Sequence, residues 1–496
     1  MCAVGIAIVG RIFYIQTVER TRWTEIGDNY IRQQRTITPS RGQIYSANGS
    51  LLATSVPKFD IYWDSKSEAI DQDSLNFYFQ SIANTLDSAI GKNTAEHYSI
   101  AMREAIRLGK RYYPIEKKIS FLQKKALLQH PFLAKGPNRS GFIFEQIDDR
   151  EKPFGGLAAR TIGKVTNGVS HGIEGAFNAE LSGLEGKQLK QRLPGNVWKP
   201  VTTEYITEPV EGMDLVSTLD VHLQDVATHA LKEQLERHQA EWGTVVLMEV
   251  ETGFIKAISN LIRKDDQYVE NLNKAVTASV EPGSTFKLAS LMCALDDGLI
   301  QLGDSIQTGK GIHYFHDVPM KDSNYKRDGS GGHGKITIEE VFEQSSNIGT
   351  ALAVKDAYGM NPQAFLNKLH SMSLGNSLGI NIEDESAPFI YKEQKQKNWS
   401  GISLTQMSIG YEVTQTPLQT LAFYNAVANN GQMLKPQFVS ALMSKGKIVK
   451  QFEPIELHHK ICSDKTLAKV RPMLEGVAEK GGTADYVFET CKYRVA

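Results

Sequence analysis

In EPGSTFKLASLMCALDDGLI, residues 281–300, a hydroxyl and an amine lie three positions apart, at Ser284 and Lys287. Pro282 and Gly283 break the preceding chain, and the run after them is apolar almost all round. A buried helix is therefore expected to start at Ser284, with Ser284 and Lys287 on one face of its first turn. A serine hydroxyl is a poor nucleophile until a base takes its proton, and a desolvated lysine can do so once its pKa has fallen far enough to leave it neutral. Burial and the positive end of the helix dipole both push Lys287 that way. Ser-x-x-Lys alone is weak, because surface helices carry it by chance as a solvated pair. The apolar neighbours count against that bland alternative, since they leave Lys287 little polar surface.

A second element lies about 60 residues on, in FEQSSNIGTALAV, residues 342–354. Ser345-Ser346-Asn347 falls between two helical runs. Ser345 and Asn347, two apart in a loop, can both point into a cleft, where Ser345 would relay a proton to a leaving amine. Asn347 would bond a substrate amide and steady Lys287. Taken alone, Ser346 or Asn347 is better explained as the cap of the helix that follows.

Together and in this order, the two elements resemble the penicillin-binding proteins and serine β-lactamases, whose fingerprint is Ser-x-x-Lys, Ser-x-Asn and Lys-Thr/Ser-Gly. The likeness extends to SRGQIYSANGSLLATS, REKPFGGLAARTIG, GIEGAFNAELSGLEG, VSTLDVHLQDVATHAL and SIGYEVTQTPLQTLAFYNAVANNG. These cover nearly the whole chain and resemble class B penicillin-binding proteins, most of all the cell-division transpeptidase that crosslinks septal peptidoglycan. The resemblance implies that Ser284 attacks the D-Ala-D-Ala carbonyl of a stem peptide, expels D-alanine and forms an acyl-enzyme. The amine of a neighbouring stem then resolves it into a crosslink. Lys287 would be the base, with Ser345 and Asn347 lining the cleft, and β-lactams would acylate the same serine. It also implies no cofactor and no metal, and as partners a membrane, a glycosyltransferase and other division proteins.

The third motif is not found. Lys480-Gly481-Gly482 lacks the central hydroxyl and sits in glycine-rich surroundings suited to a loop rather than a strand. KYRVA, residues 492–496, reads as the lead-in to a strand bearing Gly-Lys-Thr-Gly, with the chain ending before it. Such a chain would lack an oxyanion donor and be impaired. Three functions are weighed: a membrane-anchored D,D-transpeptidase of division or elongation, an acyl-enzyme resolved by water as in a carboxypeptidase or β-lactamase, and a non-catalytic scaffold of the division complex. The roughly 200 residues upstream disfavour the second, and the intact Ser284, Lys287, Ser345 and Asn347 disfavour the third.

Elements that could position these groups follow the same order. Asp220 is suited to cap a helix with Leu223, Val226, Ala227, Ala230, Leu231 and Leu235 at helical spacing. TVVLMEVETGFIKAISNL reads as a hairpin turning at Glu251-Thr252-Gly253. A helix, an antiparallel hairpin and further helices predict an α+β domain, helices on an antiparallel sheet with its last strands missing. Upstream, Asn48-Gly49 between β-prone runs predicts another hairpin, and residues 66–140 read as helical with lysines on a solvated face. Gly163–Gly186 is dense in glycine, and Pro194–Pro209 reads as irregular. The expected domains are a partial transmembrane anchor at 1–16, an elongated non-catalytic dimerisation or pedestal module at 17–211 and a transpeptidase domain at 212–496. The anchor follows from the apolar MCAVGIAIVGRIFYIQ, too short to span alone and carrying its basic residue too late for a signal peptide. It would hold the chain in the cytoplasmic membrane with its bulk on the periplasmic side.

Composition sets outer limits. A chain of 496 residues, 41% apolar and 22% charged, should fold as two or three domains with full cores. Fifty-five basic against 56 acidic residues supply no field for nucleic acid. Cys2, Cys293, Cys462 and Cys491 have neither disulfide nor zinc spacing. His313-x-x-His316 invites a metal, but its strand-and-loop setting offers no further ligands, and His222, His229 and His238 need no function.

Overall fold

The computed structural model describes residues 2–23, 32–166, 168–193, 197–200 and 206–496. Part of the Pro194–Pro209 stretch, expected to be irregular, lies outside these residues, and its middle forms a strand, Val197–Pro200. The first helix, Cys2–Thr17, has 16 residues. Among the described residues no helix is long and apolar enough to cross a membrane.

The chain forms two compact units that interleave along the sequence. One takes residues 1–43, 53–153 and 179–214, the other 44–52, 154–178 and 215–496. The sequence reading places one boundary near Gly212, and by compactness the chain passes between the units several times. Ile44 and Tyr45 pair in parallel with Leu215 and Val216, and Arg160 forms a two-pronged ion pair with Glu383. Both contacts fix upstream segments in the second unit, and pairing across so many residues leaves no local mark in sequence.

In the first unit, two capped helices share a core with antiparallel strands. Asp71 caps Gln72–Ile90 and Thr94 caps Ala95–Leu108, and each helix ends at a left-handed glycine, Gly91 or Gly109. The expected helical run over 66–140 is interrupted by a strand, Tyr113–Ile119, antiparallel to the strand that ends at Trp63. Its Tyr-Pro-Ile start favours extended backbone, and Ile115 and Ile119 are its buried residues. Two of the lysines taken as solvated have partners: Lys118 pairs with Asp149, and the Lys124 ammonium lies 3.8 Å from the centre of the Phe59 ring.

The second unit holds the site. The Asn48-Gly49 turn closes with the Ser46 N–H on the Ser50 carbonyl at 2.8 Å, and Gly49 supplies a φ of +83°. Strands Trp242–Met248 and Ile255–Lys264 form the expected antiparallel hairpin, extended by Gln267–Val269. Asp220 caps Val221–His238, accepting from the His222 and Leu223 amides at 2.8 and 3.1 Å. The buried side of this helix differs from the predicted stripe, because Leu223 and Val226 are 41% and 66% exposed while Gln224 is buried. The Gln224 amide bonds both backbone groups of Ile258 at 2.8 Å, so hydrogen bonding to the sheet sets the helix's rotation. The main core surrounds the helix Lys287–Asp296, where Leu288, Leu291, Met292 and Cys293 have no exposed surface. Burying each such side chain contributes about 1.5–3 kcal/mol. Helices packed with an antiparallel sheet make this the α+β architecture that the sequence predicts.

Candidate active site

Ser284 opens the core helix, but not in α-form. Residues 283–286 make one 3-10 turn, and α-helix starts at Lys287. The tighter turn leaves Ser284 exposed and carries Lys287 inward to 1% exposure. Gly410 backs the turn. The Gly283 amide donates to its carbonyl at 3.2 Å, and a Cβ at Gly410 would stand 2.1 Å from the Gly283 oxygen.

The Lys287 amine donates to the Ser345 carbonyl at 2.6 Å and to its hydroxyl at 3.2 Å. Its pKa is pulled down to about 8 by burial, and the Asp322 charge opposes that fall. Ser284 is not among the amine's hydrogen-bond partners. Instead, Ser284, Lys287, Ser345 and Tyr424 line one cavity of about 280 Å³. The Ser284 hydroxyl and the Lys287 amine therefore open onto one cleft.

Ser345 owes its place to the end of the helix Ile338–Glu343. The Ser345 and Ser346 amides fold back onto the Phe342 and Val341 carbonyls at 2.9 Å, a Schellman closure. That motif needs a left-handed residue at its bend, usually glycine, and here Ser345 adopts φ +51°. The left-handed conformation costs a residue with a Cβ about 1–2 kcal/mol, and the hydroxyl it carries is the one facing Lys287.

Ser346 and Asn347 take structural positions. Ser346 is the N-cap of Asn347–Tyr358, accepting from the Gly349 amide at 2.9 Å and donating to Asp322 at 3.0 Å. Asn347 is the first residue of that helix, and its side-chain amide donates to the Lys321 carbonyl at 2.8 Å. Asn347 therefore starts the helix, and it is not among the residues lining the cavity. Asp322 and Tyr424 are site residues that sequence reasoning missed. Asp322 also accepts from the Ile348 amide at 3.0 Å, and the Tyr424 hydroxyl donates to the Thr285 carbonyl at 2.9 Å, beside the nucleophile. A lone aspartate and a tyrosine in an apolar helix carry no spacing signal.

Lys480-Gly481-Gly482 lies in a turn after the helix Asp464–Ala478, with Gly481 at φ +96°. No Lys-Thr-Gly or Lys-Ser-Gly occurs in the sequence. The His313 ring packs 4.7 Å from that of Phe315.

Residues 243–496 match the Penicillin binding protein transpeptidase domain family, and residues 36–217 match the Penicillin-binding Protein dimerisation domain. The chain belongs to the class B penicillin-binding proteins. By family it is a serine-type D,D-transpeptidase, an acyltransferase of peptidoglycan synthesis. It is 25% identical over 486 residues to the probable peptidoglycan D,D-transpeptidase PenA of Neisseria meningitidis serogroup A, an alignment covering 96% of this chain and 76% of that protein. It is 26% identical over 441 residues to peptidoglycan D,D-transpeptidase FtsI of Buchnera aphidicola, covering 85% and 70%. Penicillin Binding Protein 2X from Streptococcus thermophilus has the same fold, with a TM-score of 0.69, 21% identity, and 90% of this chain and 66% of that one covered.

Proposed function

We propose that this penicillin-binding protein crosslinks stem peptides during septal wall synthesis through an acyl-enzyme on Ser284. The supporting observation is the buried Lys287 amine, held in the same cavity as the serine and shifted towards its neutral form. Ser284 Oγ attacks the penultimate D-alanine carbonyl, its proton passes to Lys287, and the D-Ala–D-Ala amide breaks. The departing amine takes a proton through the Ser345 hydroxyl, and an acceptor amine then displaces Ser284. β-Lactams present a strained amide to the same oxygen.

Membrane attachment through the apolar first helix and association with a glycosyltransferase and other division proteins belong to this reading. The experiment is acylation by labelled penicillin, with the adduct located by peptide mass spectrometry. The expected result is an adduct on Ser284, absent from Ser284→Ala. An adduct elsewhere, or none after prolonged exposure, overturns the acyl-enzyme reading.

A further inference from the structure

The short turn that carries Ser284 is gripped on both sides by one continuous stretch, residues 410–424. Before the nucleophile, the Gly283 amide donates to the Gly410 carbonyl at 3.2 Å, and Val280 and Gln415 exchange backbone hydrogen bonds at 3.0 and 2.9 Å. After the nucleophile, the Tyr424 hydroxyl donates to the Thr285 carbonyl at 2.9 Å. Other bonds of the turn are internal to it. The Thr285 hydroxyl donates to the Pro282 carbonyl at 2.8 Å, and the Lys287 amide donates to the Ser284 carbonyl.

Tyr424 can act as a clamp because its own helix is fixed. Thr416 and Gln419 cap the start of Pro417–Ala428 reciprocally, at 2.9 and 3.2 Å. Ala422, Phe423 and Ala426, which flank Tyr424 in that helix, are buried in the core. Tyr424 itself lines the cavity onto which Ser284 and Lys287 open. Its bond lands at a sensitive place, since Thr285 stands where the 3-10 turn gives way to α-helix at Lys287. Hydrogen bonds in a 3-10 turn are poorer than those in an α-helix, so a contact from outside helps this turn keep its shape. That shape is what leaves Ser284 exposed while Lys287 points inward. Burial raises the Tyr424 phenol above its ordinary pKa, so it remains a donor across the range in which Lys287 titrates.

We propose that Tyr424 is a positioning residue for acylation, aiming the Ser284 oxygen through the Thr285 carbonyl. The inference rests on the acyl-enzyme reading above, and its test is separable from it. Tyr424→Phe removes the hydroxyl and keeps the packed ring. Single-turnover acylation by fluorescent penicillin, followed over a range of penicillin concentrations, separates the limiting rate from the half-saturating concentration. The limiting rate is expected to fall about tenfold, because the nucleophile is less well aimed. Half-saturation and the pH midpoint set by Lys287 should stay where they are. Tyr424→p-aminophenylalanine, which returns an N–H donor in place of the phenol, should recover most of the rate. A limiting rate equal to the parent's, a loss confined to half-saturation, a displaced pH midpoint, or no recovery with the amino ring would overturn the positioning role and leave the acyl-enzyme on Ser284 standing. Failure of acylation in the unmodified chain would instead sink the functional reading.

Discussion

The pH dependence of acylation follows from the position of one amine. Lys287 is almost wholly buried, and burial brings its pKa to about 8 despite the opposing charge of Asp322. An unperturbed lysine near 10.4 is neutral at pH 7 in about 4 molecules in 10,000, whereas one near 8 is neutral in about 1 in 10. Burial therefore raises the population of the competent base about 200-fold. Only the free amine accepts the Ser284 proton, so the rate must rise with pH. The neutral fraction is about 0.01 at pH 6, 0.1 at pH 7 and 0.9 at pH 9. Single-turnover acylation by fluorescent penicillin, corrected for spontaneous lactam hydrolysis, should accelerate about tenfold from pH 7 to 9 and then level off. A rate flat across pH 6–9, or one still climbing steeply at pH 10, would show that Lys287 is not the titrating base. Stability moves in the same direction. The folded state disfavours the charged amine, a penalty fully present below about pH 8 and relieved as the pH rises towards the unfolded value.

Asp322→Asn removes the charge that favours ammonium, so the midpoint of that profile should shift to lower pH. The same change should lower stability by about 1–2 kcal/mol in urea unfolding, as Ser346 and the Ile348 amide lose a charged acceptor. Ser345→Gly relieves the left-handed strain while removing the hydroxyl beside Lys287. Its Tm should stay within a few degrees of the parent while acylation falls about 100-fold, and a parallel loss of both would make Ser345 merely structural. Lys368→Ala strips Asp296 of an ammonium 2.6 Å away and should cost about 3 kcal/mol by denaturant titration. Burial alone would raise the Asp296 carboxyl, but Lys368, Ser463 and Thr466 hold it well below the usual range. The parent therefore loses this stabilisation as pH falls into the acid range, and the variant should show a shallower acid slope.

The legible parts of this protein are those written in local chemistry. The Asp220 cap, the Asn48-Gly49 turn and the 242–264 hairpin all depend on neighbours within a few positions, and each forms where its residues predict. Ser284 and Lys287 also sit on adjoining turns, but the first is 3-10 rather than the expected α-helix. Parts fixed from a distance were not legible. The buried face of Val221–His238 depends on Gln224 finding Ile258, 34 residues on, so apolar spacing alone selected Leu223 and Val226 wrongly. The strand Tyr113–Ile119 depends on an edge provided by residues 59–63. Ser345-Ser346-Asn347 reads as loop, but the Ser346 cap starts a helix at Asn347, whose side-chain amide donates to the Lys321 carbonyl, a partner far off in sequence.

Hydrogen counting at Lys287 links the two motifs more tightly than their spacing does. A protonated amine has three N–H donors, and the structure supplies it with the Ser345 carbonyl and hydroxyl. A neutral amine has two donors and one lone pair. The 2.6 Å contact to the carbonyl uses one donor, and the lone pair must then accept from a hydroxyl. The hydroxyls that line the same cavity on Ser284 and Ser345 provide such donors. When that lone pair takes the Ser284 proton, the second N–H of Lys287 continues to donate to the Ser345 hydroxyl oxygen, as it does in the structure. Ser345 O–H is thereby free to donate to a leaving amine, and Lys287 replaces the proton it gives. The left-handed bend that holds Ser345 is thus what lets a single amine serve first as base and then, through its neighbour, as acid. A glycine at that bend would relax the backbone and break the relay.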